Sequence, residues 1–153
     1  MHPSLIPLYR GPAPIQHTLM DGRVKSGVSI LEMKERRLGA DVGEVWAQKT
    51  MVSIVRPLLV RSITISQEVP SGAKFSELRG LLGHEGGDLL VSLLREMMSG
   101  KRAAKAQDES LATYAPMITH ETAKVDFRTW DAQKIERFHR SISHQVCIFH
   151  MSI

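Results

Sequence analysis

An α/β fold is predicted by three observations. Residues 27–33, GVSILEM, are apolar and β-branched and read as a buried strand. Residues 44–50 read as a second strand across the polar loop KERRLGADVGE, which makes the pair antiparallel neighbours. Phe75, Leu78, Leu82, Leu89, Leu93 and Met97 then recur at the spacing of one helical face that runs on to Gly100.

The other elements follow in chain order. Residues 2–16, HPSLIPLYRGPAPIQ, are dense in polar chemistry and turn formers. Pro14 suits the first turn of a helix, where its missing N–H would be unpaired anyway; Ile15, Leu19 and Met20 give that helix an apolar side, and Gly22 ends it. Residues 51–65 are strand-like, but Pro57 argues against a central strand there. In the long helix Gly86 and Gly87 each cost about 1 kcal/mol relative to Ala unless close packing requires them. Residues 101–126 are poor in apolar side chains and read as an extended linker. Residues 131–142 form a short amphipathic helix, with Ile135, Phe138 and Ile142 on one side.

Composition narrows the function classes. The chain of 153 residues is 42% hydrophobic, enough for one domain with a core, and its net charge of +4 is compatible with a polyanionic partner such as RNA. Cys147, the single cysteine, has no internal partner, which favours a reducing compartment. No apolar run approaches the roughly 20 residues of a membrane span, so no membrane partner is expected. His139 and His144 lack a supporting acid or thiol, so no metal site is expected.

The order of these elements, with HPSLIPLYRGPAPIQ, GVSILEM, GADVGE and later QDESLATYAPMIT, resembles the methionyl-tRNA formyltransferases, within the folate-dependent formyltransferase superfamily. The resemblance implies a partial, Rossmann-like formyltransferase domain: its C-terminal half over residues 1–100, a linker over 101–126, and the start of a C-terminal region over 127–153. Residues 52–67 and 146–153 fit the family poorly, and 52–67 are read as an inserted segment. The activity implied is formyl transfer from 10-formyltetrahydrofolate to the amino group of initiator methionyl-tRNA, by a monomer of the mitochondrial matrix in a eukaryote and otherwise of the cytoplasm.

The resemblance also assigns roles. A tetrahedral intermediate with a developing oxyanion needs hydrogen-bond donors and a group to manage the amine proton. His2 matches the family's catalytic His, and Asp41 in GADVG matches the Asp that orients it. Ser4, Arg10 and Gly11 are the implied substrate-binding residues, with Arg10 serving either the cleft or a surface salt bridge. Lys101, Arg102 and Lys105 are the implied tRNA contacts, set against a solvated linker. The family's Asn has no counterpart, since Met1 occupies the position before His2. The polypeptide is therefore expected to start inside the domain and to be inactive as written. Two alternatives remain: a non-catalytic RNA-binding or interaction fragment, and another folate-dependent formyltransferase.

Overall fold

The computed structural model describes residues 1–35, 39–52, 72–101 and 103–149. The candidate insertion from 53 onward, Arg102 and the last residues of the tail lie outside the described residues. Five main elements follow one another: α1 (Pro14–Met20), β1 (Lys25–Leu31), β2 (Val45–Val52), α2 (Phe75–Met98) and α3 (Ala132–Ile142). This is the mixed α/β arrangement expected from the sequence, with the strand pair antiparallel.

The expected strand begins and ends two residues early, at Lys25 and Leu31. Its register with β2 is regular from Lys25↔Val52 to Ile30↔Ala47, then shifts so that Leu31 opposes Val45. The extra residue, Trp46, bends the edge where the chain leaves for the GADVG loop. Residues 26–30 are all buried, so β1 is covered on both faces. One edge pairs with β2; on the other edge His2 and Ser29 exchange backbone hydrogen bonds of 2.8 and 2.9 Å.

Alternation sorts the β1 side chains. Val28 and Ile30 point to α2, where Val28 joins Ile15, Leu19, Met51, Leu78 and Leu82 in the main core. Ile30 packs with Ala47 and Leu93 further along the helix. Lys49, opposite Val28, reaches the same helix and pairs its ammonium with the buried Glu85 carboxylate. Gly27 and Ser29 point the other way, toward the opening segment.

α2 starts where Glu77 accepts the Lys74 N–H at 2.9 Å and ends at Gly100, which has φ +69°. Its two adjacent glycines differ. A Cβ on Gly86 would meet the Met1 sulfur at 2.0 Å and Val28 Cγ1 at 3.0 Å, whereas one on Gly87 would meet nothing within 4 Å. Close packing accounts for Gly86 alone. α3 is capped by the Asp131 carboxylate, which accepts the Lys134 N–H at 2.7 Å, and it packs on α1 through its buried Ile142.

Residues 103–126 are non-helical apart from a single 3-10 turn at Glu109–Leu111, but they do not stand away from the rest. Lys105 pairs with Val45 by two backbone bonds of 2.8 and 2.9 Å, and Arg10 pairs with Tyr114. Further on, Val125 donates to Phe149 and Phe149 to Ala123, which ties the described part of the tail, 146–149, to this stretch.

Candidate active site

The site is built on the edge of β1. The backbone bridge to Ser29 holds His2 in place, and the fully buried Ser29 hydroxyl donates to Ser4 O at 2.7 Å. Ser29 Oγ in turn accepts from Ile6 N–H at 3.1 Å and from the Gln48 amide at 2.9 Å. Gln48 also donates to Ile6 O at 2.9 Å. The HPSLI stretch is thereby fastened to both strands.

A sharp turn follows. Tyr9 adopts φ +59°, a left-handed conformation uncommon for a bulky residue. Its N–H donates to Thr113 Oγ1 at 2.8 Å, and its hydroxyl donates to Asp21 at 2.5 Å while accepting from Arg23 Nε at 2.9 Å. Burial and the Asp21 hydrogen bond push the Tyr9 hydroxyl up to about 12, so it stays a donor. This turn aims Arg10 inward.

His2 is only 6% exposed. Its Nδ1 lies 3.0 Å from Ser4 Oγ, and the Ser4 hydroxyl donates to Leu8 O at 2.6 Å, so Nδ1 is assigned as the donor in that pair. The other ring nitrogen, Nε2, lies 3.3 Å from both Gly11 O and Asp41 Oδ2, two acceptors. Both are satisfied only when Nε2 also carries a proton. Burial lowers the His2 pKa below 6.5, against the upward pull of Asp41 and of the Gly11 carbonyl. The imidazole is held between opposed influences, in a position to give up or take a proton at Nε2.

Asp41 has φ +58°, again left-handed, between the glycines of GADVG. Its Oδ2 accepts the Gly11 N–H at 2.8 Å while facing His2. Gly11 itself has φ +106°, and a Cβ there would strike the Tyr114 ring at 2.5 Å. Only glycine serves at that point.

Two further residues of the opening motif, Ser4 and Arg10, stand near this pair. Ser4 is 1% exposed and stands behind the imidazole, engaged by His2 and Leu8. Arg10 is 8% exposed and does not reach open cleft: its Nη1 and Nη2 grip the Glu109 carboxylate at 2.8 and 2.7 Å, and its Nε and Nη2 donate to Gln107 Oε1 at 3.0 and 2.5 Å. The Arg10 bond holds the Glu109 carboxyl below its usual range. Gln107 was absent from the sequence-based roster, although it opens the QDES motif; its amide nitrogen donates to Asp41 O at 2.7 Å and Gly43 O at 2.6 Å.

A cavity of about 400 Å³ opens at the Asp41 end, bounded by Met1, Leu31, Glu32, Gly39, Ala40 and Asp41. That size falls in the range of small-molecule sites. A second cavity of about 360 Å³ lies on the far side of Gln107, with Ile6, Pro7, Trp46, Gln48 and Lys105 in its wall. Lys101 and Lys105 have exposed side chains, and Lys105 stands on this second side, away from the His2–Asp41 pair. Among the described residues no group of three acidic, His or Cys side chains could hold a metal ion. No described helix is long and apolar enough to cross a membrane.

The formyl transferase family model matches residues 1–57. The chain is 29% identical over 144 residues to the mitochondrial methionyl-tRNA formyltransferase of Homo sapiens, covering 94% of this chain and 32% of that protein. It is 33% identical over 143 residues to the methionyl-tRNA formyltransferase of Carboxydothermus hydrogenoformans, covering 94% and 40% respectively. Among solved structures, WlaRD, a sugar 3N-formyl transferase determined in the presence of dTDP and 5-N-formyl-THF, superposes with a TM-score of 0.73 at 15% identity. That match covers 97% of this chain and 48% of WlaRD, and it is a likeness of fold.

Proposed function

We propose, from the premise that this chain belongs to the formyltransferase superfamily, that its site serves formyl transfer from 10-formyltetrahydrofolate to the α-amine of initiator methionyl-tRNA. One observation carries the reading: the buried His2 faces the Asp41 carboxylate at 3.3 Å, and Asp41 lines a cavity of about 400 Å³. On this reading the formyl donor lies in that cavity, against Ala40 and Asp41. As the amine attacks the formyl carbon, the carbonyl oxygen gains charge, and His2 Nε2–H in the imidazolium form is the donor available to it; collapse of the tetrahedral intermediate breaks the bond from the formyl carbon to N10 of the folate, and N10 leaves with the proton that the amine gives up. Asp41 stabilises the imidazolium and orients its ring.

The acceptor is inferred from the relatives. Methionyl-tRNA formyltransferases align over 94% of this chain, whereas the sugar enzyme shares its fold at 15% identity. A polyanionic acceptor also suits the net charge of +4. Lys101, Arg102 and Lys105 are the proposed phosphate contacts, and the mitochondrial matrix is the proposed compartment for a eukaryotic source, the human relative being mitochondrial.

The test is formyl transfer from 10-formyltetrahydrofolate to charged initiator tRNA, compared with transfer to a nucleotide-linked amino sugar. In any chain that contains this site and transfers the formyl group, His2→Ala and Asp41→Asn are each expected to lose about 10²–10⁴-fold in rate. Donor binding is read separately, from shifts of the Ala40 and Asp41 amide signals on adding 5-formyltetrahydrofolate. Transfer to the sugar alone, or neither transfer nor binding, overturns the reading.

A further inference from the structure

We propose that Gln107 is a positioning residue of this site: its side-chain amide clamps the GADVG turn so that the Asp41 carboxylate meets both Gly11 N–H and His2 Nε2. The role rests on reading His2 and Asp41 as the proton-handling pair, but the clamp is argued from geometry alone.

Asp41 stands at φ +58°, in the left-handed region that Asp tolerates better than most residues with a Cβ, and contacts from outside the turn hold it there. Two contacts do so. The carboxylate is tied to Gly11 N–H at 2.8 Å, and the backbone is tied to Gln107, whose Nε2 reaches Asp41 O at 2.7 Å and Gly43 O at 2.6 Å. These carbonyls lie on either side of Val42, in the second half of the turn. Bonding both with one NH₂ group fixes the path of the chain between them.

The amide has only one orientation open to it. A guanidinium donates and never accepts, so Arg10, at 2.5 and 3.0 Å from Oε1, requires the oxygen on its own side and the nitrogen on the carbonyl side. Arg10 is in turn anchored by the two-pronged bond to Glu109. The relay runs from Glu109 through Arg10 and Gln107 to Asp41. It joins three segments that are far apart in sequence, and it ends 3.3 Å from the His2 ring. Few other side chains satisfy both ends: Glu lacks the N–H donors, Lys would face Arg10 with like charge, and Asn falls one methylene short.

The clamp is tested by following the His2 imidazole through a pH titration by NMR in the unmodified chain, in Gln107→Met, in Asp41→Asn and in the double variant. Asp41 raises the proton affinity of His2, so Asp41→Asn shifts the titration to lower pH. Gln107→Met is expected to shift it the same way by at least half as much, and to add nothing in the Asp41→Asn background. An unchanged His2 titration in Gln107→Met overturns the proposal, as does an equal shift with and without Asp41. If Gln107→Met loses the amide dispersion of a folded chain, Gln107→Asn takes its place, since it keeps a partner for Arg10 while drawing back from the carbonyls; the same downward shift is expected, and its absence overturns the proposal. The titration uses neither folate nor tRNA. A coupled shift in a chain that binds no 5-formyltetrahydrofolate sinks the functional reading alone, and an uncoupled shift in a chain that binds it sinks the clamp alone.

Discussion

The two faces of β1 are held by different forces. Toward α2 the strand presents Val28 and Ile30, packed against Leu78, Leu82 and Leu93 with little directionality. Toward the opening segment it presents Gly27 and Ser29, and the contact is made of hydrogen bonds and an approach of Leu5 so close that a Cβ on Gly27 would meet Leu5 Cδ2 at 2.4 Å. The apolar face supplies stability that is roughly proportional to buried area. The polar face supplies position, because each hydrogen bond constrains both distance and angle. The catalytic candidates sit on the second face.

That contrast is broken most forcefully from the apolar side. Leu78→Ala removes a fully buried side chain from the main core and is expected to cost about 2–5 kcal/mol, read by urea unfolding, with the His2 titration little changed in the molecules that remain folded. Ser29→Ala is expected to cost less, about 1–3 kcal/mol, because Ile6 N–H and Ser4 O lose their buried partner. It should nevertheless disturb His2 more than Leu78→Ala does. Equal disturbance of His2 by the two substitutions would show that the faces are not separable.

Smaller changes sharpen the comparison. Gly87→Ala, in open space on α2, is expected to stabilise by about 0.5–1 kcal/mol through helix propensity. Gly86→Ala, directed at Val28 and Met1, should not. A thermal melt in which both glycines respond alike would contradict the packing described for Gly86. The smallest effect is the pH dependence of stability. His2 has a folded pKa below its unfolded 6.5, chiefly through burial, so between the two values the unfolded chain binds more protons. Stability therefore rises with pH across that window and is lost as pH falls through the folded value. His144, stacked on Phe75 at 3.7 Å, is also held low, by burial first and then by Arg79. The slope due to His2 is best read in a His144→Gln background, where His2→Gln should flatten it.

The strands and helices were legible because their signal is local: a β-branched run, a helical period, a proline at a first turn. Their limits moved by a residue or two where tertiary contacts intervene, as at Trp46. His2 and Asp41 were legible through motif, and the structure brings them within 3.3 Å. A motif gives residue types but not the side of a turn to which a side chain points. Ser4 and Arg10, read from the motif as substrate-binding, are buried, with Ser4 bonded to Leu8 and Arg10 in the salt bridge to Glu109 that was its other reading. Residues 101–126 read as a spacer because they lack apolar periodicity; what fastens them is backbone pairing at Lys105 and Tyr114 and the polar grip of Gln107 and Glu109, none of which leaves a mark on hydropathy.

Because Asp41 is fixed from across the site, by Gly11 at its carboxylate and Gln107 at its backbone, its location does not depend on the length of chain that leads to it. Doubling the length of a loop adds only about 0.6 kcal/mol of closure entropy. With its far end moored in this way, the approach to GADVG can be lengthened or shortened while His2 and Asp41 keep their spacing.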